Sequence, residues 1–136
     1  MEGRAQRHLV LILARELASK LATPALVSDA SGELVFYNEP AGELLGRTYA
    51  EAGALPAARW SELFAVEDEE GRPLPLERMP AGVAFAERRP AHGRVRITAL
   101  DGRRRLLSVT AIPLFASAAE LVGVVALFWE ETDPAS

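Results

Sequence analysis

The stretch Asp29-Ala30-Ser31-Gly32-Glu33-Leu34-Val35-Phe36-Tyr37-Asn38 is where the fold of this chain is decided. Asp29 to Gly32 reads as a tight turn. The aspartate side chain can accept from the backbone that follows it, and the glycine can take a positive φ. Ala25 to Ser28 before the turn reads as a short strand. Glu33 to Tyr37 after it is the returning strand, rich in β-branched and aromatic residues, so the unit is a hairpin. Asn38 then reads as an N-cap. Pro40 falls in the first helical turn, where its missing N–H is harmless. The helix runs through Ala41, Leu44 and Leu45, and Gly46 closes it.

Upstream, Arg4 to Ala22 reads as a helix. Leu9, Ile12, Leu13, Leu17 and Leu21 recur at helical spacing, with Val10 and Leu11 widening the stripe. Thr23-Pro24 ends it, because a residue before proline avoids the α region. Downstream, Arg47 to Ala54 is a second short helix and Trp60 to Ala65 a turn or two more. Glu67 to Pro73 is an acidic surface loop. Pro80 opens a helix over Met79 to Arg88, with Val83, Ala84 and Phe85 as its apolar positions.

Three strands follow. Arg94 to Leu100 alternates Val95, Ile97 and Ala99 against Arg94, Arg96 and Thr98, the pattern of a half-buried strand. Asp101-Gly102 is a strong hairpin signal. Arg104 to Phe115 returns, with Pro113 marking a bulge or an edge position. Ala116 to Glu120 is a loop. Leu121 to Trp129 is apolar on both faces and needs a cover on each. The order is helix, two strands, short helices, three strands. It predicts an α+β fold: a five-stranded antiparallel sheet with the short helices on one face and the N-terminal helix over the other. Residues 1–22 form the flanking helix, 23–132 the domain and 133–136 a short tail.

With these elements in order, the chain resembles the PAS family of sensor modules. Asp29-x-x-Gly32-x-x-x-x-x-Asn38 is similar to its opening signature, and Ala41, Leu44, Leu45 and Gly46 to the helix that follows. Asp68 to Pro75 resembles its acidic loop, Pro80 to Arg88 its long helix, and the Asp101-Gly102 turn its last long hairpin. Glu130-Glu131-Thr132 is similar to the family's closing Asp-Ile-Thr element, with glutamate in place of aspartate. The resemblance spans Ala18 to Thr132. It implies a small ligand or cofactor held between sheet and short helices, and flanking helices that carry a signal, often as dimer contacts.

Composition narrows the choices. The chain has 136 residues, 49% hydrophobic and 25% charged, with a net charge of −4. That suits one globular domain and argues against nucleic acid or an anionic membrane as partner. There is no cysteine, which excludes disulfides, thiolate catalysis, Cys-ligated zinc and the photoadduct chemistry of flavin-binding PAS domains. Leu9 to Ala14 is far short of the ~20 residues that span a bilayer. Arg15, Glu16 and Lys20 stand where a secretory cleavage region would be small and uncharged. The expectation is a cytoplasmic protein.

Candidate site residues follow from the fold and the resemblance. Phe36, Trp60, Phe64, Met79 and Phe85 are expected to wall a ligand pocket, with Trp60 and Phe64 on a mobile segment. Arg96 belongs to a basic patch with Arg94, Arg103, Arg104 and Arg105, suited to an anion or an acidic partner, or simply to a solvated sheet face. Haem-binding PAS domains usually take an axial histidine from the long helix, and Met79 to Arg89 contains none; His92 lies beyond it and His8 far upstream. No cofactor is expected. In the acidic loop, an EF-hand register would put Val66 at the first ligand position, where it cannot coordinate. Asp29, Glu33, Glu43 and Asp101 fall in turns or helix starts, and no nucleophile–base pair is evident, so no enzyme is expected. Leu9, Ile12, Leu13 and Leu17 are expected to meet a second copy of the chain. The leading reading is a homodimeric sensor of a small ligand or a signalling partner. Its rival is an interaction module whose cavity is filled by its own side chains.

Overall fold

A computed structural model of the chain describes residues 2–49, 53 and 56–131. Helix α1 spans Glu2–Ser19. Strands β1 (Ala25–Asp29) and β2 (Leu34–Tyr37) follow, then α2 (Glu39–Leu45) and α3 (Ala57–Leu63). A 3-10 turn at Leu76–Arg78 leads into α4 (Pro80–Glu87), then β3 (Ala91–Thr98), β4 (Arg104–Ser117) and β5 (Glu120–Glu131). The five strands form one antiparallel sheet in the order β2-β1-β5-β4-β3. This is the predicted α+β architecture. The expected helix over Arg47 to Ala54 falls in part outside the described residues, at Ala50 to Ala52 and Ala54, as do Thr132 and the tail.

The central position of β5 explains its composition. Val124, Ala126 and Phe128 face the short helices, while Val125 and Leu127 face α1. The side chains of α1 sort by helical angle. Leu11, Ala14 and Ala18 turn onto the sheet against Val27, Val125 and Leu127. Gly123 permits this close approach, since a Cβ there would lie 2.2 Å from the Ser28 carbonyl oxygen and 3.1 Å from a Leu11 methyl.

Several boundaries differ from the sequence reading. Helix α1 stops at Ser19 and not Ala22, because Lys20 and Leu21 turn back onto the Leu17 and Ala18 carbonyls in a tight final turn. Strand β3 begins at Ala91, and the hairpin after it opens to Ala99–Arg103, where Ala99 N–H bonds the Arg103 carbonyl at 2.8 Å. The loop expected over Ala116 to Glu120 is a tight reversal, since Ser117 already pairs with Glu120. Pro113 pairs with Val124 on one side, while β3 pairs only as far as Ala111 on the other. The proline thus sits where β4 has a single neighbour, the local edge its chemistry requires.

Strand β2 carries a bulge. Val27 pairs with Phe36 but Ser28 pairs with Leu34, leaving Val35 as an extra residue. A bulge re-aims the side chains beyond it. Leu34 and Tyr37 point into the core under the short helices, while Phe36 joins Val35 on the α1 side.

Candidate functional site

Between the sheet and the short helices lies a cavity of about 70 Å³. Its floor comes from alternate sheet residues: Leu26 and Leu34, Val95 and Ile97, Leu107 and Val109, Ala126 and Phe128. Period-two alternation places them on one face. The roof is Trp60, Phe64 and Val66 around α3, Leu45 at the end of α2, and Met79, Pro80 and Ala81 at the start of α4. All of these side chains are apolar. The polar tips nearby are already engaged: the Trp60 indole N–H donates to the Gly32 carbonyl at 3.3 Å, and the Tyr37 hydroxyl donates to the Arg47 carbonyl at 2.6 Å.

Three of the five expected wall residues, Trp60, Phe64 and Met79, line this cavity. The other two, and the candidate ligand-binding Arg96, are placed elsewhere. Phe36 is turned to the opposite face by the β2 bulge, where Arg15 stacks over its ring at 5.4 Å and Tyr49 meets its edge at 5.5 Å. Phe85 is 39% exposed, because α4 turns Pro80, Ala81 and Ala84 inward instead. Arg96 points away from the cavity, since its neighbours Val95 and Ile97 point into it. Its backbone pairs with Glu67 in both directions at 2.8 Å, and its guanidinium reaches toward the Glu69 carbonyl. The missed floor residues were accessible through the strand alternation alone.

Part of the basic patch meets the acidic loop. Arg104 pairs with Glu67 at 2.6 Å and Arg94 approaches Glu69 at 3.9 Å, while Arg105 pairs instead with Glu130 of β5 at 2.8 Å. Within the loop, Asp68 accepts from the Arg72 and Glu70 backbone N–H groups and pairs with the Arg72 side chain. The Arg72 N–H, more than the side chain, holds the Asp68 carboxyl below its ordinary pKa. Such exposed pairs contribute about 0–1 kcal/mol each. Among the described residues, no group of three or more histidine or carboxylate side chains is placed to hold a metal ion. His92 is exposed, bonded to the Thr110 hydroxyl at 2.7 Å, with its ring 6.1 Å from that of Trp129. Beside it, the Ser108 hydroxyl donates to Glu131 at 2.6 Å and holds that carboxyl below its ordinary pKa; lost hydration opposes this, and Arg94, Trp129 and His92 reinforce it.

Asn38 does more than cap α2. Its Oδ1 accepts from Ala41 N–H and Ala25 N–H, both at 3.0 Å. Its Nδ2 donates to the Ala18 carbonyl of α1 and to the Thr23 carbonyl, both at 2.9 Å. One buried amide, 2% exposed, therefore ties α1, β1 and α2 together.

The outward face of α1 is apolar. Leu9, Leu13 and Leu17 are 54%, 57% and 64% exposed, and Ile12 is 43% exposed. On the same side of the sheet, Ile112 and Trp129 also remain exposed beyond the helix. Among the described residues, no helix is long and apolar enough to cross a membrane.

No protein-family profile matches the sequence, and no curated protein sequence does either. Solved structures do match. The PAS domain of Bordetella pertussis BvgS superposes with a TM-score of 0.60 at 24% identity, over 92% of this chain and 88% of that one. The PAS domain of the fruit-fly ELK potassium channel gives 0.69 at 12% identity, over 90% and 98%. That of nitrogen regulation protein NR(II) from Vibrio parahaemolyticus gives 0.60 at 16% identity, over 88% and 98%. At these identities the likeness is one of fold.

Proposed function

We propose that this chain, which has the fold of a PAS domain, is a signal-sensing and interaction module that pairs with a second copy of itself through α1 and has no catalytic activity of its own. The observation that carries the reading is the two-faced helix. Leu11, Ala14 and Ala18 complete the cover of the sheet, yet Leu9, Leu13 and Leu17 are left in water. A contiguous apolar stripe of this kind is unusual on a monomer surface and marks an interaction site. Ile112 and Trp129 extend it across the outer sheet face.

The cavity supports the sensing half. It sits under α2, α3 and α4, and α2 is joined to α1 through Asn38. A guest that favours one arrangement of the roof would shift the population of helix packings, and only by its differential affinity for them. The dimer face then presents either state to a signalling partner. The negative net charge, and the pairing of Arg104 and Arg105 with Glu67 and Glu130, favour a protein partner over nucleic acid or membrane, and a cytoplasmic setting. The rival reading, an interaction module with no ligand, shares the dimer face and differs only in the cavity.

Light scattering at tens of micromolar tests the pairing. The expected mass is that of a dimer, and Leu13→Asp converts it to a monomer with an unchanged circular dichroism spectrum. A monomeric parent, or an unchanged mass for the variant, would sink the proposal.

A further inference from the structure

We infer that the cavity under Trp60, Phe64 and Met79 takes a small, uncharged, apolar guest of a few heavy atoms, and rejects any ligand with a charged or hydrogen-bonding head. This deepens the ligand-sensing half of the proposal above and rests on it. Two observations carry it. The first is the chemistry of the wall, which is apolar throughout. The tips of Trp60 and Tyr37 are turned outward onto backbone carbonyls. A polar group entering such a site loses its water without gaining a partner, at roughly 2–7 kcal/mol. Water itself needs two to four polar partners, and this wall offers it none.

The second is size. At about 70 Å³ the cavity is roughly half the ~150 Å³ apolar cavity that admits benzene or xenon. A single large atom or a molecule of two to four heavy atoms fits; a ring does not. The roof also supplies a door. Helix α3 begins at Pro56 with no side-chain cap, and it ends next to Ala65, held at a φ of 46°. The Trp60–Gly32 hydrogen bond latches it to the β1–β2 turn.

Xenon is the probe of choice, read by methyl NMR on the full chain. Saturable shifts are expected at Leu34, Ile97, Leu107 and Val109, with none at Val27 and Val125 on the opposite face. Ala126→Val, which projects two extra methyl groups into the space, abolishes them. Met79→Ala enlarges the space and gains benzene binding that the parent lacks. Trp60→Phe removes the latch and speeds xenon exchange. No saturable shift in the parent overturns the proposal, as does the same set of methyls responding to succinate or flavin mononucleotide. Light scattering on the same samples separates the two ideas. A dimer that ignores xenon refutes the guest while the pairing stands, and a monomer that binds xenon does the reverse.

Discussion

Replacing Asn38 with alanine should remove a large part of the stability of this domain, although the residue carries no charge. Loss of the N-cap bond to Ala41 costs about 1 kcal/mol. The Ala25 N–H is buried with it and loses its partner as well, while the Ala18 carbonyl keeps the Leu21 N–H. Such an orphan costs about 1–3 kcal/mol. The Thr23 carbonyl is only part-buried and can recover water. The sum is about 2–4 kcal/mol, against a typical total of about 5–15 kcal/mol. In urea the midpoint should fall by about 2 M with little change in slope. Asn38→Asp divides the effect. It keeps both acceptor bonds but sets a carboxylate oxygen against the Ala18 and Thr23 carbonyls. Hydrogen exchange should then accelerate along the last turns of α1, while the first turn of α2 keeps its protection. A loss below about 1 kcal/mol for Asn38→Ala, or an Asn38→Asp protein with parental exchange in α1, would refute the bridging role.

Further outcomes are open to measurement. Gly82→Ala should destabilise by about 1–3 kcal/mol, although alanine is the better helix former by about 1 kcal/mol. A Cβ at Gly82 would lie 2.0 Å from the Leu76 carbonyl oxygen; a higher melting temperature would overturn this. Asp68 and Glu131 are both held below their ordinary pKa, chiefly by the Arg72 N–H and the Ser108 hydroxyl respectively. A depressed carboxyl contributes stability above its unfolded pKa and loses it as the pH falls through the folded one. Urea midpoints should therefore be level above about pH 5 and decline below about pH 4. Ser108→Ala lets the Glu131 carboxyl rise toward its ordinary value, so the acid decline becomes shallower; an unchanged slope would remove Ser108 as the cause.

What the sequence revealed depended on how local the cause was. The Asp29–Asn38 hairpin and cap were legible because turn chemistry and capping act within a few residues: the Asp29 carboxylate bonds the Ser31 and Glu33 N–H groups, as its type and position require. The half-buried alternation of β3 and the two-sided burial of β5 were legible for the same reason. Phe36 was misread because the β2 bulge is set by pairing with β1, which no spacing within β2 reveals. Phe85 was misread because α4 is so short that apolar residues surround it, and the choice of inward face is made by the sheet. The arginine patch and the acidic loop were each visible, but their partial pairing depends on the chain bringing Glu67 beside Arg96. Among the cavity residues, size and aromaticity pointed to Trp60, Phe64 and Met79. The small residues Ala81 and Ala126 matter through the space they leave, which composition cannot announce.

The fixing of α1 near one end gives it mechanical leverage. Its 18 residues make a rod about 27 Å long, and the Asn38 amide grips it at Ala18, next to its last residue. A change at that grip too small to register in the sheet is magnified along the rod. A tilt of about 5° at Ala18 would sweep the far end through about 2 Å, about a third of the ~6 Å between one leucine of the stripe and the next. Two rods paired through Leu9, Leu13 and Leu17 would have to re-seat those ridges. The helix would then act as a pointer pinned at Ala18 by one side-chain amide and rocking on the sheet through Leu11 and Ala14.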